Sequence, residues 1–326
     1  MSELRRDSVS RDWIIMAPDR AGRPHAAHAK KHVRRASPKR TCPFENLKAS
    51  GNSAPIVSYP NDARWEVAVI PNKYPALVHH QACLTLRREG PYERAPGIGH
   101  HDLVVTRDHD KNFGALSRAR ALRVLLVLQE RYRTLAKDRC LVYTSTFFNW
   151  GASAGASIYH PHYQVLTLPI IPPHIQHSLI GSKDYKRRYG RCVHCDMVKF
   201  EAKREKRIIY KDARAVAFAP FVSQQEFEFR IFPRRHLPFF EYTPVADLLA
   251  AARALQHTIR RMKTRLNDPD FNFFIHTAPL KEQRKHDHYH WHIEVLPKTS
   301  IAAGFELSTG VEINVVDPDT AAALLR

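Results

Sequence analysis

The sequence of 326 residues lacks long apolar runs, holds only five cysteines and has few acidic residues. No apolar run approaches the roughly 20 residues of a membrane-spanning helix, and the N-terminus is charged where a secretory signal would be apolar. We therefore expect a soluble, cytoplasmic protein. The 51 basic residues outnumber the 32 acidic ones, which gives a formal net charge of +19. This excess favours an anionic partner, whether a phosphorylated metabolite, a nucleotide, a nucleic acid or an acidic membrane surface.

The cysteines are odd in number, which does not indicate a disulfide framework. Two of the five, Cys192 and Cys195, have C-x-x-C spacing. In a cytosolic chain this spacing points to metal binding or to redox chemistry.

The order of predicted elements indicates two copies of one α+β unit. Hydrophobic residues make up 44% of the chain, which is globular composition and suits one large or two ordinary domains. Strand and helix patterns recur in the same order in both halves. The first half is predicted to form the strands 64–71 and 101–106, the helix 115–136 and the strands 141–149 and 163–168. The second half is predicted to form the strands 215–220 and 226–232, the helix 245–265 and the strands 271–276 and 290–296. The proline-rich segment 169–186 between the halves is predicted to be a connector.

Short motifs recur at matching positions in the two halves. The segment 159–165 (YHPHYQV) parallels the segment 289–295 (YHWHIEV), and a cysteine-containing tetrapeptide opens each half, at 42–45 and at 192–195. Landmarks repeated in the same order are typical of a tandem repeat. We place the first domain at residues 1–175 and the second at residues 176–326.

The segment 159–165 holds the best candidates for chemistry. In an extended strand His160, His162 and Gln164 point to the same face, because side chains repeat with period two. A buried row of polar groups is costly unless a metal, a ligand or hydrogen bonds satisfy it; the alternative is a surface strand with incidental histidines. The preceding loop, residues 149–157, consists largely of small side chains that let backbone amides approach a phosphate, and it favours the functional interpretation.

The pattern N-x-G-x-x-x-G-x-S-x-x-H-P-H-x-Q over residues 149–164 resembles the active-site motif of the galactose-1-phosphate uridylyltransferases, a branch of the histidine triad superfamily. The segments 17–24, 71–77 and 303–306 also match, so the resemblance covers essentially the whole chain in family order. It implies an α+β fold of two tandem histidine-triad-like domains, each an antiparallel half-barrel sheet with a packed helix. It also implies a homodimer.

The resemblance further implies a reaction. His162 matches the nucleophile that attacks the α-phosphorus of UDP-glucose, which releases glucose 1-phosphate and leaves a uridylyl-histidine; galactose 1-phosphate then takes the uridylyl group. Neutral imidazole suits this role near pH 7. Gln164 and Ser157 match catalytic positions at the phosphoryl oxygens. The positions matched to substrate binding are Arg20, Arg23, Asn72, Asn149 and Gly155, together with Phe305 and Glu306, which in the family reach the hexose from the partner subunit.

A first set of metal ligands follows from the same resemblance. His160 matches a zinc ligand that is grouped with Cys42 and His109, but Glu45 stands where the family has a second cysteine. A carboxylate can ligate zinc, so these four residues can form a tetrahedral set. An empty site, with His160 only hydrogen-bonded, is the alternative.

A second set offers the better metal site. Cys192, Cys195, His236 and His290 occupy the corresponding landmarks of the second half and give a Cys₂His₂ set, which is a normal structural zinc site. A redox dithiol and a pair of ordinary core cysteines are the alternatives. His276, with His290 and His292, also resembles a region that binds iron in some relatives, which the two cysteines make the weaker interpretation.

The second copy of the histidine motif is predicted to be a structural pseudo-site. Glu294 stands where the first copy has Gln164, and a carboxylate would repel an incoming phosphate. In addition, no small-residue loop precedes Tyr289. His162, rather than His292, is therefore the predicted nucleophile.

Two other functions stay open on the sequence. An enzyme of the ADP-glucose or dinucleotide phosphorylase type would use the same histidine with phosphate as acceptor, and Lys73, which stands where some uridylyltransferases have aspartate, bears on the base. A zinc-stabilised, basic nucleic-acid-binding protein is an alternative of another class, although basic runs such as 203–207 lack the interleaved aromatics of a stacking platform. No organic cofactor is implied, because the histidine itself carries the transferred group.

Overall fold

The computed structural model describes residues 1–22 and 37–326. The first part of the chain forms the elements β1 (Glu3–Arg6), β2 (Trp13–Met16), β3 (Val57–Tyr59), β4 (Val67–Pro71), β5 (Arg87–Glu89), β6 (Tyr92–Arg94), β7 (His100–Thr106), α1 (Arg118–Leu135), β8 (Tyr143–Trp150), β9 (His162–Leu168) and α2 (Pro173–Tyr189). The second part forms α3 (Val193–Arg204), β10 (Ile208–Lys211), β11 (Ala215–Phe218), β12 (Phe229–Pro233), α4 (Val245–Arg265), β13 (Phe271–His276), β14 (His292–Pro297), α5 (Gly304–Thr309), β15 (Ile313–Asn314) and α6 (Pro318–Leu325).

Ten of the strands form one antiparallel sheet that contains both halves of the chain. Its order is β10-β11-β12-β14-β13-β8-β9-β7-β4-β3. From the outer edge inward, the first half contributes β3, β4, β7, β9 and β8, and the second half contributes β10, β11, β12, β14 and β13 in the same pattern. In each half one long helix, α1 or α4, connects the third of these strands in chain order to the fourth. The predicted repeat is therefore confirmed as a repeat of topology, and the predicted α+β class is confirmed with it.

The two innermost strands join the halves edge to edge. The β8–β13 ladder runs from the pair Phe271 and Trp150 to the pair Ile275 and Thr146. Phe148 and Phe273 are directly opposed and their rings stack with centroids 5.0 Å apart. Cross-strand aromatic pairs of this kind stabilise an antiparallel sheet.

The helices α1 and α4 cover one face of this sheet. Leu125 and Leu128 of α1 and Leu255 and Ile259 of α4 are buried in a single apolar core with the sheet residues of that face. The hydroxyl of Ser117 accepts the backbone N–H of Arg120 and so caps α1, as expected for a serine at a helix start. The opposite face is covered only in part, by α2 and α3, which leaves room there for a polar site.

Strand alternation decides which side chains reach that opposite face. In β9, Tyr163 and Val165 belong to the core under the helices. His162 and Gln164 therefore point to the other side of the sheet. The predicted polar row is therefore confirmed for His162 and Gln164, whereas His160 lies in a bend before β9 begins.

Most predicted elements are confirmed, including the helix 245–265 and the strand 271–276, whose bounds coincide with α4 and β13. The predicted connector 169–186 is wrong, because most of it forms α2. Pro172 and Pro173 suggested a break in structure, but proline is well suited to the first turn of a helix. Beyond them Ile175 and Leu179 recur at helical spacing and are buried.

The structure also contains a disulfide, which the odd number of cysteines did not lead us to expect. Cys83 and Cys140 form a disulfide with their Cα atoms 4.9 Å apart. They are 57 residues apart in sequence, so no local motif predicts that they pair. Cys42, Cys192 and Cys195 are free thiols. None of the helices formed by the described residues is long and apolar enough to cross a membrane.

Glu241 is a buried carboxylate that makes the stability of the fold sensitive to pH. It lies on the short helical turn Phe240–Tyr242, fully buried, and neither carboxylate oxygen has a hydrogen-bond partner among the described residues. Burial raises the pKa of Glu241 from 4.5 to about 7. The folded state therefore holds this proton more tightly than the unfolded chain does.

The stabilising effect of this proton is fully present below about pH 4.5 and is lost as the pH rises through about 7. We expect Glu241→Gln, which cannot ionise, to raise the free energy of unfolding by up to about 3 kcal/mol above pH 7 and by much less at pH 4.5. Urea unfolding at the two pH values measures this difference. The exposed Glu89→Gln is the control, and an equal effect of Glu241→Gln at both pH values would contradict the argument.

Candidate active site

His162 has the protonation state of a nucleophile. Its Nδ1–H donates to the carbonyl oxygen of His160 at 2.9 Å, so Nε2 keeps its lone pair. The ring is buried and packs against Phe44, with ring centroids 5.3 Å apart. Burial is the main cause that lowers the pKa of His162 below its usual value, and the nearby His101 lowers it further. The imidazole is therefore neutral at physiological pH.

The side-chain amide of Gln164 is oriented by His101. The backbone N–H of Ala76 donates to Nδ1 of His101 at 3.1 Å, so the proton of this ring is on Nε2, which donates to Oε1 of Gln164 at 3.0 Å. With its oxygen engaged, Gln164 presents its NH₂ group as the free donor. Asn72 lies beside the same imidazole, and its side-chain oxygen accepts the backbone N–H of Tyr74 at 3.0 Å.

Asn149 is oriented in the same manner from the other half of the chain. The amide nitrogen of Asn272, its partner on β13, donates to Oδ1 of Asn149 and to the carbonyl oxygen of Ala154, at 2.8 Å each. The NH₂ group of Asn149 is thereby turned toward the loop, 3.8 Å from where a side chain would begin at Gly155. Two amide donors thus flank the segment that ends in His162.

The small-residue loop is anchored by Asp270. This carboxylate accepts hydrogen bonds from the backbone N–H of Ser153 at 3.0 Å and from its hydroxyl at 2.7 Å. Gly151 has φ +88° there, and a Cβ atom on it would lie 1.8 Å from a carboxylate oxygen of Asp270. Only glycine fits at this position. The second half of the chain therefore determines the conformation of a loop that belongs to the first.

The first predicted metal set comes together beside His162. The donor atoms of Cys42, Glu45, His109 and His160 all lie within 4.8 Å of one another. Sγ of Cys42 is 3.5 Å and Oε1 of Glu45 is 3.6 Å from Nδ1 of His160. Tetrahedral zinc with ordinary bond lengths holds its donor atoms about 3.3–3.8 Å apart, so these distances suit the ion.

Backbone carbonyls fix the histidines of this set in the tautomer that a metal requires. Nε2–H of His160 donates to the oxygen of Thr106 at 2.6 Å, and Nε2–H of His109 donates to the oxygen of Ser37 at 2.7 Å. Both Nδ1 atoms then carry lone pairs that face the centre of the group. Nδ1 of His109 is only 2.8 Å from Oε1 of Glu45, and two acceptors so close together require a cation or a proton between them.

The second predicted set is equally compact. The donor atoms of Cys192, Cys195, His236 and His290 lie within 4.8 Å of one another. The Nδ1 atoms of His236 and His290 lie 3.2 Å and 3.5 Å, respectively, from Sγ of Cys195. The Nε2–H of His236 donates to the backbone oxygen of Asp287 at 2.9 Å. A hydrogen bond from Cys195 lowers the pKa of Cys192, whose thiolate in turn raises the pKa of His236.

The predicted pseudo-site contains a cluster of buried ion pairs. His276, His292 and Glu294 form a separate group, and the guanidinium of Arg230 is 3.0 Å from the Glu294 carboxylate. A second buried carboxylate, Glu228, also pairs with Arg230 at 2.8 Å. The group borders a cavity of about 480 Å³ between the halves. Arg230 occupies the place of a cation beside Glu294, which disfavours the iron interpretation.

The remaining predicted substrate residues are more exposed. Ser157 and Gly155 lie on the exposed part of the loop before His162. Arg20 lies half-buried on the helical turn Pro18–Gly22, and Arg23 lies outside the described residues. Phe305 and Glu306 lie on α5, where the backbone N–H of Ala303 donates to Glu306 at 3.1 Å.

Four residues of the site were not predicted from the sequence, namely His101, Phe44, Asp270 and Asn272. His101 carried a detectable signal, because its position in a predicted strand lies on the same face as the apolar residues Leu103 and Val105. Asp270 and Asn272 contact loop residues that are more than 100 positions away in sequence, and no local sequence pattern predicts these contacts.

The comparisons with known proteins agree with this geometry. Residues 1–172 match the family model of the galactose-1-phosphate uridyl transferase N-terminal domain. An ADP-glucose phosphorylase from Arabidopsis thaliana is 32% identical over 99% of this chain and 92% of its own length. A galactose-1-phosphate uridylyltransferase from Thermotoga maritima is 24% identical over 100% of this chain and 98% of its own length.

A solved structure extends this similarity to three dimensions. The crystal structure of an ADP-glucose phosphorylase from Arabidopsis thaliana with bound ADP-glucose superimposes with a TM-score of 0.86 and 30% identity, covering 100% of this chain and 99% of that one.

The protonation of His162 is open to direct measurement. We expect the His162 imidazole to titrate below the usual 6.5 and to carry its neutral-state proton on Nδ1, because burial and the His160 carbonyl favour that form. Nitrogen NMR of histidine-labelled protein, with the resonance assigned by its loss in His162→Gln, reports both properties. A ring that still titrates at 6.5 or above, or a proton on Nε2, would contradict the assignment.

Proposed function

Since the chain belongs to the galactose-1-phosphate uridyl transferase family, we propose that this nucleotidyltransferase acts on a nucleoside diphosphate sugar through a covalent intermediate on His162. The observation that carries the proposal is the neutral, buried imidazole whose Nδ1 is engaged by a carbonyl and whose Nε2 is left as a base. The net charge of +19 suits an anionic substrate.

The first half-reaction forms a phosphorus–nitrogen bond. The lone pair of His162 Nε2 attacks the α-phosphorus, the bond from that phosphorus to the bridging oxygen breaks, and sugar 1-phosphate leaves with the electron pair. In the second half-reaction an acceptor phosphate oxygen attacks the same phosphorus, and the imidazole leaves. Neutral imidazole is both a capable nucleophile and a capable leaving group.

The two oriented amides stabilise the charge that develops in these steps. The NH₂ groups of Gln164 and Asn149 are the donors left free by His101 and Asn272, and donors fixed before the reaction lower the barrier without reorganising. Ser157 and the loop around Gly155 add further donors at the phosphates. Arg20, Arg23 and Asn72 are proposed to hold the nucleotide.

We propose ADP-glucose as the donor and inorganic phosphate as the acceptor, so that the products are glucose 1-phosphate and ADP. The similarity to the Arabidopsis thaliana ADP-glucose phosphorylase supports this choice over the pair UDP-glucose and galactose 1-phosphate that the sequence motif first suggested. Lys73 in place of the aspartate of some uridylyltransferases is in keeping with a different base.

Zinc in both four-residue groups is part of the proposal. The donor separations and the carbonyl-fixed tautomers support it, and the ion would hold the strand ends around His160 and His290 in place. A homodimer in which Phe305 and Glu306 reach the partner's substrate is also proposed; the exposed apolar residues of this segment, Ile301, Phe305 and Leu307, suit such a contact.

The donor and the acceptor are identified by one mass measurement. We expect the full chain, incubated briefly with ADP-glucose and no acceptor, to gain the mass of one adenylyl group on His162. The adduct should disappear on addition of phosphate, with release of ADP. UDP-glucose and galactose 1-phosphate are tested in parallel, and a uridylyl adduct cleared only by galactose 1-phosphate would replace our donor and acceptor with that pair.

Two variants test the residue rather than the substrate. His162→Asn should form no adduct, while His292→Asn, the change at the repeat-related position, should keep it, with zinc content and thermal unfolding as checks of the fold. Absence of any adduct from the wild type, together with salt-sensitive oligonucleotide binding that survives His162→Asn, would favour the nucleic-acid-binding alternative.

Asn272 is expected to act through Asn149. Asn272→Ala removes the donor that orients the Asn149 amide, and Asn272→Asp places an acceptor against Asn149 Oδ1 and repels it. We expect the single-turnover rate of adduct formation to fall about tenfold or more, with the aspartate variant the slower of the two, since one misplaced donor has an effect of at least this size. Equal rates in both variants and the wild type would rule out this positioning role.

A further inference from the structure

We propose that His79, His100 and Asp138 form a surface site for a divalent transition-metal ion, separate from the two groups described above. Their donor atoms lie within 4.8 Å of one another. The two imidazole rings stack with centroids 4.7 Å apart, and Nδ1 of His79 is 3.8 Å from Oδ2 of Asp138.

The chemistry of these three donors selects the ion. Two imidazoles and one carboxylate suit borderline ions such as zinc, nickel and cobalt rather than magnesium or calcium, which prefer oxygen. Burial lowers the pKa of His100, which leaves that ring available as a ligand at neutral pH. The side chain of His79 is 57% exposed, so water can complete the coordination sphere from the open side.

The disulfide links the two segments that supply the outer ligands. Cys83 follows His79 by four residues, and Cys140 follows Asp138 by two. The backbone N–H of Cys140 also donates to Oδ1 of Asp138 at 2.8 Å, which leaves Oδ2 turned toward His79. A crosslink that holds both segments near β7, where His100 lies, reduces the conformational freedom lost when an ion binds.

The site is connected to the segment that fixes His101, the hydrogen-bond partner of Gln164. His100 and His101 are consecutive residues of β7 and therefore point to opposite faces. Val78 makes backbone hydrogen bonds with Gly97 and Gly99, and the segment from Asn72 to His79 includes the N–H of Ala76 that fixes His101. An ion bound to His79 and His100 would therefore hold this segment against the start of β7.

Titration of nickel into the untagged, zinc-loaded full chain tests the site. We expect native mass spectrometry and calorimetry to detect one additional equivalent of nickel in the wild type. His79→Ala and Asp138→Asn should bind that equivalent at least about tenfold more weakly, because even the outer partners of metal ligands have effects of this size. The asparagine variant retains the oxygen that accepts from Cys140, so its fold is preserved. His177→Ala, which removes an exposed histidine of α2, is the matched control.

The outcome is read without any assay of the reaction, so it is independent of the proposed function. Loss of the equivalent in the two site variants and not in the control supports the site. Equal nickel binding by wild type, His79→Ala and Asp138→Asn would overturn it. The double variant Cys83→Ser/Cys140→Ser should also bind more weakly, and unchanged affinity there would overturn the role given to the disulfide.

Discussion

The antiparallel ladder between β8 and β13 is the contact on which the rest of the structure depends. It makes one sheet from two repeats and sets Asn272 directly opposite Asn149. The same ladder ends next to Asp270, whose carboxylate holds the loop before His162. The half that contains His162 therefore does not contain all the groups that orient its own donors, because the second half supplies two of them, Asn272 and Asp270.

Backbone carbonyls determine which ring nitrogen carries the proton on four histidines of the two sites. A carbonyl oxygen can only accept, so a ring nitrogen that faces one must carry the proton. His162 is engaged in this way through Nδ1, whereas His160, His109 and His236 are engaged through Nε2. The first arrangement leaves the lone pair on Nε2, and the second directs Nδ1 toward the centre of a four-residue group. One type of interaction thus gives opposite tautomers to His160 and His162, the two histidines of a single H-x-H motif.

Residues whose role follows from a local sequence pattern could be predicted from the sequence, whereas residues whose role depends on contacts distant in sequence could not. Period-two alternation placed His162 and Gln164 on one face, and the repeated landmarks grouped Cys192, Cys195, His236 and His290. The helix α2 was missed because proline composition outweighed the burial spacing of Ile175 and Leu179. Asp270, Asn272 and the Cys83–Cys140 pair act across 57 residues or more, and sheet pairing brings such positions together only after the topology is known.

The difference between the two copies supports the proposal that only the first copy contains the nucleophile. In the first copy a neutral imidazole and a neutral amide, those of His162 and Gln164, lie on one face of β9. In the second copy Glu294 takes the place of the amide, and Arg230 neutralises it together with Glu228. A phosphate there would have to separate Arg230 from two buried carboxylates, and leaving buried charges unpaired is strongly unfavourable. The ion-pair cluster therefore disfavours phosphate binding at the second copy, which agrees with the proposal that His162 rather than His292 is the nucleophile.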